Sequence, residues 1–240
     1  MSDPQGLAFD PFAADYDLGR PGWPPELLDG IGGDEVLDLA AGTGKLTSLL
    51  VETYPRVIAV EPLASMRAFI TPEAEVLDGT AEAIPLADAS VDAVFVAEAF
   101  HWFDSAAAVA ELARVLRVGG AVVVCFNEYN AYDPPIGDAA RAALEERWSR
   151  LPPPGGPKVH SGEWKLGFEG QPFTPLAERA IDYEHITNRE GVAAYYVSVS
   201  SMGSLTEAER LALRAELLDA LADVPYRLAL TARVFTARRT

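Results

Sequence analysis

Between residues 35 and 126, short β-branched and apolar runs alternate with stretches of helical period, and no other feature restricts the fold as much. Runs at 35–40, 57–61, 74–77, 91–97 and 121–126 read as five strands. The segments after the first, second and fourth runs, ending near 54, 70 and 116, read as helices. VDAVFVA and AVVVCF are apolar at nearly every position rather than every second one, the mark of strands buried on both faces. Strands joined through helices cross over right-handedly, so the expected fold is a doubly wound, mostly parallel α/β sheet covered on both faces. No internal repeat or second-domain boundary is visible, and residues 1–240 read as one domain.

Beyond residue 128 the pattern changes. Residues 138–150 read as a helix, and 151–172 as an irregular proline- and glycine-rich stretch with Trp164 and Phe168 embedded. A stretch of that length is either a surface linker or a lid. Residues 173–187 and 226–236 alternate as strands do, the second closing the sheet. Between them Thr206 and Glu209 form a capping box for a helix reaching about 221.

The segment VLDLAAGTGK carries the first strand into Gly42-Thr43-Gly44 and then a helix. Glycines at such a turn let a ligand lie directly on the main chain. A dinucleotide fingerprint needs a third glycine where Thr47 stands, and the spacing around Lys45 does not satisfy a P-loop. What remains is a nucleoside ligand without a pyrophosphate. Glu61 ends the second strand, where a carboxylate either accepts both ribose hydroxyls or stays solvated before Pro62. Asp38 either faces the ligand or braces the loop.

Thirty-six acidic against nineteen basic residues give a net charge of -17. Such a surface repels polyanions at long range and argues against nucleic acid as a partner. The lone Cys125 excludes an internal disulfide, and His101, His160 and His185 lack metal-ligand spacing, so no metal is expected. The start MSDPQGLAFD has no basic residue and no apolar core, and no apolar run reaches the length of a membrane span. A soluble, cytoplasmic protein without a membrane partner is expected.

VLDLAAGTGKLT, VIAVEP, LDGTAEAIPLADASVDAVFVAEAFHWFD and LARVLRVGGAVVVCFNE resemble the class I S-adenosylmethionine-dependent methyltransferases. Within these they are closest to the branch that includes trans-aconitate methyltransferases and related small-molecule enzymes. The resemblance covers residues 9–128 well and the remainder loosely. It implies a Rossmann-like, seven-stranded sheet with an antiparallel last strand, an N-terminal helical cap over residues 9–31 and an insertion or lid over 129–172. It implies S-adenosylmethionine as cofactor, with Asp38 and Gly42, Thr43 and Gly44 against its methionine and ribose portion and Glu61 on the ribose. Thr80, Ala81 and Glu82 fall where related enzymes contact the adenine edge. Many of those carry aspartate in place of Thr80, which leaves backbone groups for that contact here. Met66 either packs on the adenine face or fills the core. Tyr16 and Arg20, in DYDLGRPGWP, would fold over the cofactor, the arginine meeting its carboxylate or standing at the surface. Ala40 replaces the first glycine of the family's loop, which an ordinary backbone angle would tolerate.

Methyl transfer is an in-line displacement that needs orientation and desolvation more than acids and bases. AEAFHWFD sets Glu98, Phe100, His101, Trp102 and Phe103 at the carboxyl ends of the strands, where open α/β sheets bind ligands. Glu98 is grouped with the cofactor-binding residues. His101 is the candidate base for an acceptor hydroxyl, facing the methyl group, or is a structural histidine inside the turn. Trp102 is expected to pack a helix start. His160, Trp164 and Tyr195 or Tyr196 are candidates for the acceptor pocket, with Asn127 and Glu128 beside it. The acceptor is expected to be a small molecule, methylated at oxygen. A tRNA- or protein-modifying methyltransferase and a non-methylating relative that binds S-adenosylmethionine are the competing readings.

Overall fold

A computed structural model describes residues 12–128, 136–151 and 162–240. Its elements are α1 (Ala13–Gly19), β1 (Glu35–Leu39), α2 (Lys45–Val51), β2 (Arg56–Val60), α3 (Ala64–Arg67), β3 (Glu75–Leu77), β4 (Val91–Ala97) and α4 (Ser105–Val115). They continue through β5 (Leu116–Glu128), α5 (Gly137–Trp148), β6 (Ala177–Thr187), α6 (Arg189–Val197), α7 (Glu207–Ala220) and β7 (Tyr226–Arg238). Short 3-10 turns fall at Pro25–Leu28, Phe100–Trp102 and Glu163–Phe168. Among the described residues no helix is long and apolar enough to cross a membrane.

Seven described strands form one sheet in the order β3-β2-β1-β4-β5-β7-β6. The first five pair in parallel, and β7 runs antiparallel to both β5 and β6. The doubly wound fold with an antiparallel last strand is therefore present. One expectation is corrected: β7 does not close the sheet but is inserted between β5 and β6, leaving β6 at the edge. Edge strands avoid pairing with other chains by carrying charge, and β6 bears Glu178, Arg179, Asp182 and Glu184. The fifth strand also starts earlier than the expected 121. The helix ends at Val115 and β5 begins at Leu116, with Gly119 at φ +83° inside the strand's irregular start.

Both sheet faces are covered. Val94, Val96, Val122 and Val124 pack with α4 on one face, while Phe95, Val123 and Cys125 pack with Leu46 and Leu50 of α2 on the other. A third cluster joins α5, α6 and α7 through Leu144, Val197, Leu213 and Leu217. Helix α6 has no counterpart in the sequence reading. All seven residues 191–197 are buried, so the segment shows no polar face to set a helical period. Asn188 marks its start, accepting the Gly191 N–H at 2.9 Å.

Of the insertion or lid expected over 129–172, residues 129–135 and 152–161 lie outside the described residues. The described parts are packed. Ala140 and Leu144 of α5 are buried, and a Cβ on Gly167 would lie 2.5 Å from the Ser105 carbonyl oxygen, so this turn sits directly on the start of α4.

The N-terminal segment is held by the far end of the chain. A Cβ on Gly19 would lie 2.2 Å from the Tyr195 nitrogen, so α1 and α6 touch backbone to backbone. Arg179 donates to the Leu27 carbonyl at 2.8 Å, and Arg238 to that of Gly30 at 3.0 Å.

Candidate functional site

At the carboxyl end of β1 the chain turns through three left-handed residues, Ala40 (φ +56°), Gly42 (φ +59°) and Gly44 (φ +84°). The ordinary angle that would make Ala40 tolerable is thus not the one it adopts. A non-glycine residue is held where L side chains are disfavoured, the kind of strain that persists at ligand sites. The loop is pinned by the Ala41 N–H on the Val60 carbonyl at 3.1 Å and the Gly44 N–H on the Ala41 carbonyl at 2.9 Å. Above Gly42 the space is open. A Cβ there would meet only Tyr16 Cε1, at 3.9 Å.

Glu61 follows β2 and is only 5% exposed, so it is not a solvated glutamate. Its Oε2 accepts the Gly42 N–H and its Oε1 the Leu63 N–H, each at 2.9 Å. Each oxygen keeps a further lone pair, and the residue lines the cavity described below. Burial raises its pKa, outweighing the two backbone hydrogen bonds. Asp38 is 1% exposed and takes the bracing role. The Thr47 hydroxyl donates to its Oδ2 at 2.6 Å, which ties α2 to β1, while its Oδ1 has no partner among the described residues. Burial pushes its pKa up to about 7 against the Thr47 bond, and the charge of Glu61 adds to the rise. Asp38 lies under the loop and is not among the residues lining the cavity.

A cavity of about 150 Å³ opens over these groups. Tyr16, Gly42 and Glu61 form one side, Leu63, Met66 and Thr80, Ala81 and Glu82 another, and Glu98, Trp102 and Phe103 the third. The Glu82 carboxylate accepts the Asp104 N–H at 3.0 Å, holding the aromatic turn against the wall. A smaller chamber of about 40 Å³ lies alongside, lined by Arg20, Thr43, Lys45 and Asn127. Tyr16, Ala40, Gly42 and Glu98 border both. The Arg20 guanidinium lies 4.7 Å from the Tyr16 ring centre and 5.0 Å from that of Tyr195, and donates to the Ser198 carbonyl at 3.2 Å. Glu98 also stands at positive φ (+55°), and its Oε1 accepts the Asn127 N–H at 2.7 Å. The two chambers therefore share strained backbone at Ala40 and Glu98.

The structure thus gathers Tyr16, Arg20, Ala40, Gly42, Thr43, Glu61, Met66, Thr80, Ala81, Glu82 and Glu98 around one space. Gly44 caps α2 behind it. His101 does not face this space. It is 7% exposed, its ring 4.5 Å from that of Trp102 and 6.0 Å from that of Phe126, and it is absent from the described lining. Trp102 lines the cavity in its place, although the sequence suggested a packing role. Trp164 is likewise corrected. It is 2% exposed, set among Phe100, Phe126 and Phe235 at 5.1–5.5 Å, and is a core residue. Tyr195 stands behind Arg20, Tyr196 is buried in the helical layer, and His160 lies outside the described residues. Among the described residues no three His, Cys, Asp or Glu side chains gather to hold a metal. Trp23 and Leu63 on the chamber walls were not singled out as ligand contacts; only their places beside recognised motifs could have signalled them.

Residues 37–124 match a family model described as a methyltransferase domain. An uncharacterized methyltransferase-like protein of Schizosaccharomyces pombe is 30% identical over 223 residues, covering 88% of this chain and 85% of that protein. An uncharacterized methyltransferase of Mycobacterium tuberculosis is 49% identical over 128 residues, 50% of this chain and 52% of the relative, so the match spans about half of that protein's length. The structure of a putative type II methyltransferase from Anaeromyxobacter dehalogenans shares the fold, with a TM-score of 0.60, 24% identity and coverage of 92% of this chain and 97% of that one. The chain belongs to the class I S-adenosylmethionine-dependent methyltransferases. The cavity suits that family's cofactor. A buried carboxylate with spare lone pairs, Glu61, stands beside a floor without a Cβ at Gly42, and Leu63, Met66 and Ala81 offer an apolar slot.

Proposed function

We propose that this protein transfers a methyl group from S-adenosylmethionine to a small-molecule acceptor, at oxygen. The observation that carries the reading is the cavity itself, where the Gly42 floor and the Glu61 carboxylate face the aromatic wall of Trp102 and Phe103. When bound, S-adenosylmethionine supplies an electrophilic methyl group on a cationic sulfonium. Glu61 would accept the ribose hydroxyls, and the slot at Leu63, Met66 and Ala81 would hold the base. Arg20, which lines the smaller chamber and is braced by two tyrosine rings, would bind a carboxylate. Glu98 adds negative charge that favours a cationic ligand. Trp102 and Phe103 exclude water and offer ring faces to a cation. His101, set behind Trp102, would act by holding that ring. An acceptor oxygen that arrives ionised needs no base from the chain. The net charge of -17 supports a small acceptor over RNA.

Calorimetry with S-adenosylmethionine tests the cofactor assignment. Glu61→Ala should weaken binding about ten- to a hundredfold, the worth of a charge-assisted hydrogen bond. An unchanged dissociation constant would remove Glu61 from the site. Tight RNA binding with a steep salt dependence would favour a tRNA-modifying enzyme instead.

A further inference from the structure

Residues 20–24 cover the smaller chamber: Trp23 packs on the core cluster beneath it, and polar ties come from beyond residue 124, where the family model ends. One of these ties comes from β6. The Tyr183 hydroxyl donates to Asn127 Oδ1 at 2.8 Å and also lies 3.2 Å from the Gly22 carbonyl oxygen, so its proton is shared between β5 and the cap. Asn127 is buried, lines the smaller chamber, and through its backbone N–H fixes the carboxylate of Glu98. Gly22 follows Arg20 by two residues, and Arg20 lines that chamber along with a second cation, Lys45. One hydroxyl therefore meets two pieces of chain, one carrying Arg20 and the other fixing the chamber's carboxylate, Glu98. Burial, with the nearby charge of Glu98, pushes the Tyr183 hydroxyl well above the usual tyrosine range, so it remains a donor throughout the neutral and mildly alkaline range. Nothing in the packing of β6 requires a hydroxyl at this position, because the ring alone joins the apolar cluster beneath the cap.

We propose that Tyr183 is a positioning residue for cofactor binding: its hydroxyl clips the cap at Gly22 to Asn127 and so sets Arg20 and Tyr16 over the cavity. The inference rests on the reading of that cavity as the cofactor site. It assigns to a C-terminal strand the job of ordering an N-terminal segment. In this way the part of the chain outside the family model tunes the site inside it.

Tyr183→Phe keeps the ring and removes only the hydroxyl. Its affinity for S-adenosylhomocysteine, read by calorimetry, is expected to fall about 2- to 12-fold, the worth of one hydrogen bond. In an Arg20→Ala background the same change is expected to cost less than about twofold, because the group it positions is gone. A purely structural tyrosine would give the same loss in both backgrounds, and that result, or no loss in either, overturns the proposal. Hydrogen exchange on the ligand-free protein gives an independent reading. Tyr183→Phe should speed exchange at residues 16–23 while β1 and β4 stay protected, and unchanged exchange there overturns the clip. If the unaltered protein binds no S-adenosylhomocysteine yet the variant exchanges faster at the cap, the cofactor reading fails and the clip stands.

Discussion

Asp38 makes this fold less stable as pH rises, and the size of the effect follows from its surroundings. In the unfolded chain the carboxyl ionises near 3.8, and in the folded protein near 7, because burial disfavours the charge more than the Thr47 hydroxyl favours it. Between those values the folded state holds the extra proton, so raising the pH favours unfolding, and the loss is complete once pH passes the folded value. At about 1.4 kcal/mol per unit of pKa shift, the part that falls between pH 5 and pH 8 is about 2–3 kcal/mol. Asp38→Asn keeps an acceptor for the Thr47 hydroxyl and removes the titration. Urea unfolding at pH 5 and pH 8 should therefore show the variant's stability, relative to the unaltered protein, improving by about 2–3 kcal/mol across that interval. Comparing the two proteins cancels the other titrating groups to first order, Glu61 included. Parallel pH dependences for the two proteins would refute the reasoning, since they would mean that Asp38 is ionised in the fold at no cost.

Proton linkage reaches the ligand as well: a cationic cofactor should draw the proton from Asp38, so its affinity should rise as pH passes through about 7, and the rise should shrink in Asp38→Asn, measured by calorimetry at pH 6 and pH 8. Ala40→Gly should stabilise the protein by about 1 kcal/mol in urea unfolding, because it relieves a left-handed alanine. Trp164→Ala should cost about 3–5 kcal/mol, as expected for emptying a site enclosed by three phenylalanines, with cofactor affinity in the surviving fold little changed. Gly19→Ala should force α1 away from α6 and weaken cofactor binding severalfold, checked by calorimetry, because a methyl group would be driven against the Tyr195 backbone.

Residues 35–126 determine their own architecture because each signal there is local. VDAVFVA can only be a strand buried on both faces, Gly42 and Gly44 mark a turn that needs left-handed backbone, and Thr206 with Glu209 writes its own helix cap. The same locality made Glu61 and the 80–82 segment stand out, since each follows a strand at the carboxyl end of the sheet. Other features depend on residues far apart in the chain, and no local pattern encodes them. The insertion of β7 between β5 and β6 depends on which edges remain free once the sheet has formed. Helix α6 hides its period because it is buried on all sides. His101 and Trp102 are adjacent in sequence, and only packing against Phe126 turns the first inward and leaves the second on the cavity wall. The family could thus be read from short segments, whereas the assignment of each side chain to cavity, core or cap was decided by contacts across as many as 208 positions, as between Arg238 and Gly30.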